Sequence, residues 1–324
     1  MGIVCSSLLF LGTACSTTNN PDQPKQQAEL KPRTLIVQTS PQPSPQERGI
    51  RRLPQATITE NGNVLDALWN EGDEVFYRNL SYSNDYYEDD EGKPLYGVLE
   101  ADKAERIASF AGDRVWCAED DQLALIYPKI DKSAIDVSLV ESQLTASYTI
   151  SVAGQDGSLA TLAKDFHHIY GIASVVSVTE TTANAELAEM KSLMTVCKFS
   201  FVDKDHPGTP LPITSLKISI GGTSLYIGTY PQQGTVSIAQ NVSAWNVSVD
   251  PEWEITGGKP LTIDTKGVNP TEVYVALFPD MGATYSFTVT STTGAATDGT
   301  YTGTATATLN EGEYVVAPLK LTKK

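Results

Sequence analysis

Histidine is nearly absent from this 324-residue chain, with three in all, and cysteine is scarcely commoner, with four. That shortage removes much of the usual catalytic and metal-binding repertoire. His167 and His168 are neighbours, so on a strand their side chains leave opposite faces and cannot act together. His206 sits in the turn-like DKDHPG. No CxxC or Cys/His spacing points to zinc. Phosphate loops, the dinucleotide fingerprint, HExxH and GxSxG are all missing. Positive charge is short too: 23 Lys and Arg face 39 Asp and Glu, a net charge of -16. A surface of that sign repels phosphate backbones, which argues against nucleic acid as a partner. No apolar run is long enough for a membrane helix. The acidic run DYYEDDEG (85–92) lacks the EF-hand order of ligands and reads as a solvated loop, with calcium as the alternative. No catalytic residue, metal or cofactor is expected, and the chain is not read as an enzyme.

What is present is β structure. Hydrophobic content of 40% suits a folded protein. ATITE (56–60), DEVFYRN (73–79), QLALIYP (122–128) and TASYTISV (145–152) read as strands. SLKISIGG (215–222), EVYVALFP (272–279), TYSFTVTS (284–291) and GTATATL (303–309) continue the pattern. Short period-two runs punctuated by Gly, Pro, Asn and Asp predict antiparallel sandwiches. Helical spacing is rare. ANAELAEMKSLM (183–194) places Leu187, Met190 and Met194 on one face and predicts a short helix; ADKAERIASF (101–110) is a second, ambiguous candidate. The domain boundary is expected near 185–192.

The N-terminal region has its own grammar. The apolar run from Ile3 to Leu11 fits the hydrophobic part of a secretory signal, although no Lys or Arg precedes it. Leu11, Gly12, Thr13 and Ala14 lead into Cys15 in the manner of a lipobox, which predicts a signal over 1–14 and lipid attachment at Cys15. Ser16 to Gln27 is polar apart from Pro21 and Pro24, as a tether would be. TLIVQTS (34–40) is a β-rich run, followed by the proline-rich PQPSPQERG (41–49). Arg48, Arg51 and Arg52 then stand within five residues of one another. Proteases favour segments of this kind, but taken alone the stretch reads as a basic linker. Cys117 and Cys197 read as packed thiols, with a long-loop disulfide as the alternative. The tyrosines of SYSNDYY (81–87), Tyr82, Tyr86 and Tyr87, suit stacking on sugars, anchoring a protein partner or covering the end of a sandwich.

In their order along the chain, several stretches resemble the fimbrillins, the pilin-like lipoproteins of the type V pili of Bacteroidetes. ALWNEGDEVFY (67–77) is similar to that family's tryptophan, spacer, Gly-Asp and strand. LALIYP (123–128) resembles its apolar strand ending in Tyr-Pro. LMTVCKFSFV (193–202) and ITSLKISIGG (213–222) resemble the opening of its second domain. LNEGEYVVAPLKLT (309–322) resembles its closing strand. Pro318 and Cys197 depart from the pattern.

The resemblance implies an all-β protein of two transthyretin-like antiparallel β-sandwich domains with one or two short helices. It divides the chain into a signal peptide (1–14), a lipid-anchored tether with a removable N-terminal segment (15–52), and sandwiches at 53–188 and 189–324. It implies an outer-membrane lipoprotein at the cell surface, cut after an arginine (Arg48, or Arg51 or Arg52) so that TLIVQTS leaves. The vacated groove would take a strand from another fimbrial subunit. Val315, Ala317, Leu319 and Leu321 alternate on one face of the tail, as a donor strand requires; the same tail also reads as the last strand of its own sheet. The implied function is a fimbrial subunit or surface adhesin, its receptor not named by the sequence. A glycan-binding surface lipoprotein is the alternative.

Overall fold

The computed structural model describes residues 31–39, 57–61, 64–82, 96–105, 108–130, 136–140, 143–222, 226–240, 245–254, 257–294 and 296–324. In chain order the first strands are β1 (Lys31–Thr39), β2 (Thr57–Asn61), β3 (Val64–Leu68), β4 (Glu74–Asn79), β5 (Tyr96–Ala101), β6 (Ser109–Cys117), β7 (Gln122–Tyr127), β8 (Asp136–Val140) and β9 (Gln143–Ser151). A short helix, α1 (Leu159–Thr161), continues as a π-helical turn over Leu162–Phe166, and β10 (Ile169–Val178) and β11 (Thr182–Ser192) follow. The remainder is β12 (Thr195–Asp203), β13 (His206–Pro210), β14 (Ser215–Ile220), β15 (Gln233–Gln240), β16 (Trp245–Pro251), β17 (Leu261–Asp264), β18 (Glu272–Leu277), β19 (Asp280–Ser291), β20 (Gly299–Leu309) and β21 (Tyr314–Lys323).

Alternation explains most of these elements. In β14, Leu216, Ile218 and Ile220 are buried while Lys217 is exposed. β4 and β7 break the rule, being buried on both faces for five of their six residues. Each is a wall shared by two cores. Val75, Tyr77, Leu123 and Leu125 face one; Phe76, Ala124 and Ile126 face the other.

The first core fills a closed barrel of seven strands, in the order β1-β11-β10-β7-β4-β5-β6. The strand pattern predicts an open sandwich here. The sheet closes instead because β1 lies between β6 and β11 and pairs with both. The second core lies under an eight-stranded sheet with the path β13-β12-β21-β20-β19-β14-β17 and β18 added beside β12. A four-stranded sheet, β16-β15-β9-β8, packs into the same core through Tyr148, Ile150, Val236 and Ile238. It joins a hairpin from before residue 188 to one from after it. Gly234 permits the fit: a Cβ there would lie 2.8 Å from the Phe278 ring.

Two helix expectations are corrected. Residues 182–192 form β11, not a helix. Ala183, Ala185 and Leu187 point inward with period two. The register with β10 then shifts between Ala173↔Leu187 and Gly171↔Met190. This bulge on β11 carries the inward position three residues on and imitates helical spacing. Residues 101–105 close β5 and bend, and β6 begins at Ser109. The helical segment that does form, α1 with its π-turn, starts at Ser158, whose side chain caps the Thr161 N–H.

Candidate functional site

The slot occupied by β1 is the candidate site. β1 runs parallel to β11 from Thr34↔Thr182 to Thr39↔Leu187, and antiparallel to β6 from Lys31↔Cys117 to Gln38↔Ser109. Its sequence, KPRTLIVQT, sends Arg33, Leu35 and Val37 inward. Leu35 and Val37 have no exposed surface and belong to the barrel core. Residues 40–56 separate β1 from β2, so one cut there severs the strand from everything after it.

The third inward residue is a cation. Arg33 is buried. Its Nε donates to the Thr179 carbonyl at 2.7 Å, and its Nη1 donates to the carbonyls of Cys117 and, at 3.4 Å, Lys31. A buried guanidinium is tolerable only when such acceptors surround it. Arg33 thereby ties the end of β6 to the turn between β10 and β11. Asp121 lies buried beside this corner, its Oδ2 accepting from the Ala118 N–H and Asn79 Nδ2, each at 2.8 Å. Burial pushes the Asp121 carboxyl up, and the hydrogen bonds from Ala118 and Asn79 pull against it. Burial, with help from the Asp121 charge, pushes the Cys117 thiol up to about 11 while Arg33 opposes the shift. Such a thiol is a packing group rather than a nucleophile. The slot therefore has a polar end at Arg33 and an apolar end at Leu35 and Val37.

Of the residues singled out by sequence, Cys15, Arg48, Arg51 and Arg52 lie outside the described residues, as do Tyr86, Tyr87 and the acidic run 85–92. The tail residues are described. β21 pairs in parallel with β12 from Val196↔Tyr314 to Asp203↔Leu321. It meets β20 only at Tyr301↔Lys323 and Thr302↔Thr322. Leu321 is buried in the second core, with Val315, Ala317 and Leu319 packed half-buried against it. Val316, Pro318 and Lys320 point outward. The tail thus lies within its own sheet, between β12 and β20, with one long ladder and a second of only two residue pairs. Cys117 and Cys197 are both buried and free.

Sequence reading missed a clasp downstream of the arginines. The Glu60 carboxylate accepts from Lys198 Nζ at 2.9 and 3.0 Å, Tyr274 Oη at 2.7 Å and Tyr314 Oη at 2.8 Å. Lys198 also pairs with Glu272 at 2.9 Å. Burial raises the Glu60 carboxyl, but the three donors outweigh it, and the group sits below its ordinary range. The clasp fastens the β2–β3 hairpin to β12, β18 and β21. No local sequence signal announces it, because Glu60 lies 138, 214 and 254 residues from its three donors.

His167 and His168 are both buried, at the junction of the π-turn and β10. Burial depresses each to about 4; the neighbouring His168 adds to the effect on His167, and the Ser151 backbone partly opposes it for His168. A groove of about 870 Å³ near the π-turn is lined by Asp73, Glu74, Tyr127, Lys129, Lys164 and Asp165, among others. Glu74 and Lys129 pair there at 2.9 Å. Among the described residues no cluster of three or more His, Cys, Asp or Glu side chains is placed to hold a metal ion.

No protein-family model matches the sequence, and no curated protein matches it. Solved structures do. A Bacteroides uniformis protein, provisionally named a cell adhesion protein, is 12% identical, with 93% of this chain and 95% of that one aligned at a TM-score of 0.50. A Bacteroides eggerthii protein with the same provisional name is 10% identical over 90% of this chain and 88% of that one, at a TM-score of 0.37. A streptococcal ancillary pilin is 15% identical over 90% and 69%, at 0.28. The first superposes closely enough to establish a shared all-β fold.

Proposed function

We propose that the protein is a fimbrial subunit, or a surface adhesin carried on such a fibre, assembled by strand exchange after N-terminal processing. One observation carries this reading: β1 completes the barrel from between two strands, yet only residues 40–56, with Arg48, Arg51 and Arg52, connect it to the rest of the fold. A cut among those arginines turns β1 into a separate peptide. Its departure leaves the edges of β6 and β11 facing each other across an apolar slot, a template for strand addition. β21 of another copy is the donor. It is ten residues long against nine for β1, and it lies between β12 and β20 with one long ladder and only two residue pairs on the other side. Cys15 carries the lipid that holds the subunit on the outer membrane before assembly. The division at 53–188 and 189–324 gives one acceptor unit and one donor unit, related to the transthyretin-like pair of the fimbrillins, with the β8–β9 hairpin lent across.

The test is limited trypsin digestion followed by intact mass and a gel that resolves oligomers. The expected result is a first cut between Arg48 and Arg52, a resistant body, and a ladder that appears only after the cut. A resistant body that stays monomeric after β1 has been removed would overturn the proposal.

A further inference from the structure

Resting on the strand-exchange reading, we infer that the donor enters the β1 slot in the direction opposite to β1, with Lys323 of the second copy taking the place of Arg33. The slot asks for a specific inward order. At one end the carbonyls of Cys117 and Thr179 receive a buried cation, and the next two inward positions, those of Leu35 and Val37, are fully apolar. Without a cation, the buried Cys117 carbonyl beside the Asp121 carboxylate loses its bond from the guanidinium.

The inward face of the tail carries Val315, Ala317, Leu319 and Leu321, and strand alternation puts the exposed Lys323 next in the same series. Read from N to C, no basic residue precedes the two leucines on that face; Ala317 falls on the cation position. Read from C to N, the face becomes Lys323, Leu321, Leu319, and it superimposes on Arg33, Leu35, Val37. Lysine offers three donors on a long stem, enough for the acceptors Arg33 now serves. In the monomer Lys323 is exposed, its Nζ lying 5.6 Å from the Tyr301 ring centre, so its own sheet does not need it buried.

Proline gives a second, independent reason. The N–H at position 34 donates to the Thr181 carbonyl at 2.8 Å. In the same direction as β1, with Leu319 at position 35, Pro318 occupies position 34 and has no N–H to give. Reversed, Thr322 takes that position and Pro318 moves to position 38, at the exposed end of the slot. Reversal exchanges the two ladders, making that with β11 antiparallel and that with β6 parallel, so pairing type favours neither direction and the cation and the proline decide.

Engineered cysteines on the outward face read the direction. Thr34 lies opposite Thr182 and Gln38 opposite Glu186. Full-length chains carrying Thr322→Cys are mixed with chains carrying either Thr182→Cys or Glu186→Cys, processed with trypsin and oxidised mildly. The reversed donor predicts cross-linked dimer with Thr182→Cys at least tenfold above that with Glu186→Cys. The opposite ratio overturns the direction while leaving strand exchange intact. A ladder with neither cross-link overturns the register. No ladder at all removes the reading beneath both. The cation is tested separately: Lys323→Met is expected to cut ladder yield about tenfold with the monomer's melting unchanged, and Lys323→Arg to restore it. Wild-type yield from Lys323→Met would overturn the assignment.

Discussion

If β1 is a placeholder, displacing it by mutation should imitate cutting it out. Leu35→Asp is the sharpest perturbation. Leu35 has no exposed surface, so losing its burial removes about 1.5 to 3 kcal/mol. The new carboxylate would lie in an apolar slot, adding a penalty of several kcal/mol unless it takes up a proton. Together these come to about 5 kcal/mol, comparable to the stability of a whole small domain. The strand should therefore leave the slot while still attached to the chain. Leu35→Asp should then form a ladder on a native gel with no cleavage, and adding Leu319→Asp to the same chain should abolish it, because the only available donor is spoiled. In the Leu35→Asp, Leu319→Asp double variant, amide exchange should quicken in β6 and β11 and stay slow in β14 and β19. A Leu35→Asp monomer that melts like wild type refutes the reasoning. So does one in which β14 and β19 lose protection together with the barrel, because β1 would then be an integral strand of a single cooperative unit.

Two further predictions concern stability. The buried histidines refuse protons in the folded chain until about pH 4, whereas in the unfolded chain they bind them below about 6.5. Stability should therefore be flat above pH 7 and fall between about 6.5 and 4, by roughly 3 kcal/mol for each histidine; His167→Leu should remove about half of that slope, and melting that does not change between pH 7 and 4.5 would contradict the burial. Glu60 has the opposite sign of dependence on its charge: its carboxyl is held low, so its contribution is complete above about pH 4.5 and is lost as pH falls through the folded value. Glu60→Gln should weaken the charge-assisted bonds from Lys198, Tyr274 and Tyr314, destabilise the chain by roughly 1 to 3 kcal/mol in denaturant titrations, and speed amide exchange at 57–61; an unchanged midpoint would show the clasp to be idle.

The sequence made some of this legible and hid the rest for identifiable reasons. Strands with one wet face announced themselves, as β14, β19 and β20 did, because alternation is local. The tail's inward face could be read before its partner was known. β11 was misread as a helix because Ala and Glu favour helix and its bulge spaced Leu187 and Met190 by three; the ladders on both its edges override that propensity. Barrel closure was invisible because it depends on a parallel pairing between β1 and β11, about 150 residues apart. Arg33 passed unnoticed for a related reason: in TLIVQTS and its preceding residues a buried cation looks the same as an exposed one, and its acceptors are main-chain atoms that leave no mark in sequence.

Cleavage matters because of concentration, not because of a change in contacts. While residues 40–56 tether β1 to β2, the strand meets its slot at an effective concentration of about millimolar, the scale for a tethered partner. A donor tail from another copy at micromolar concentration is outnumbered about a thousandfold, a handicap of about 4 kcal/mol. The intact chain therefore keeps β1 even if the two strands bind equally well. After the cut, β1 competes only at its own bulk concentration and can be diluted away. The donor then gains on a second count. In its own sheet β21 has one long ladder, with β12, and touches β20 at two residue pairs. In the slot it would have a ladder on each side, as β1 does with β6 and β11. The tail leaves a place paired along one side and at two residue pairs on the other for one paired along both sides, which favours exchange.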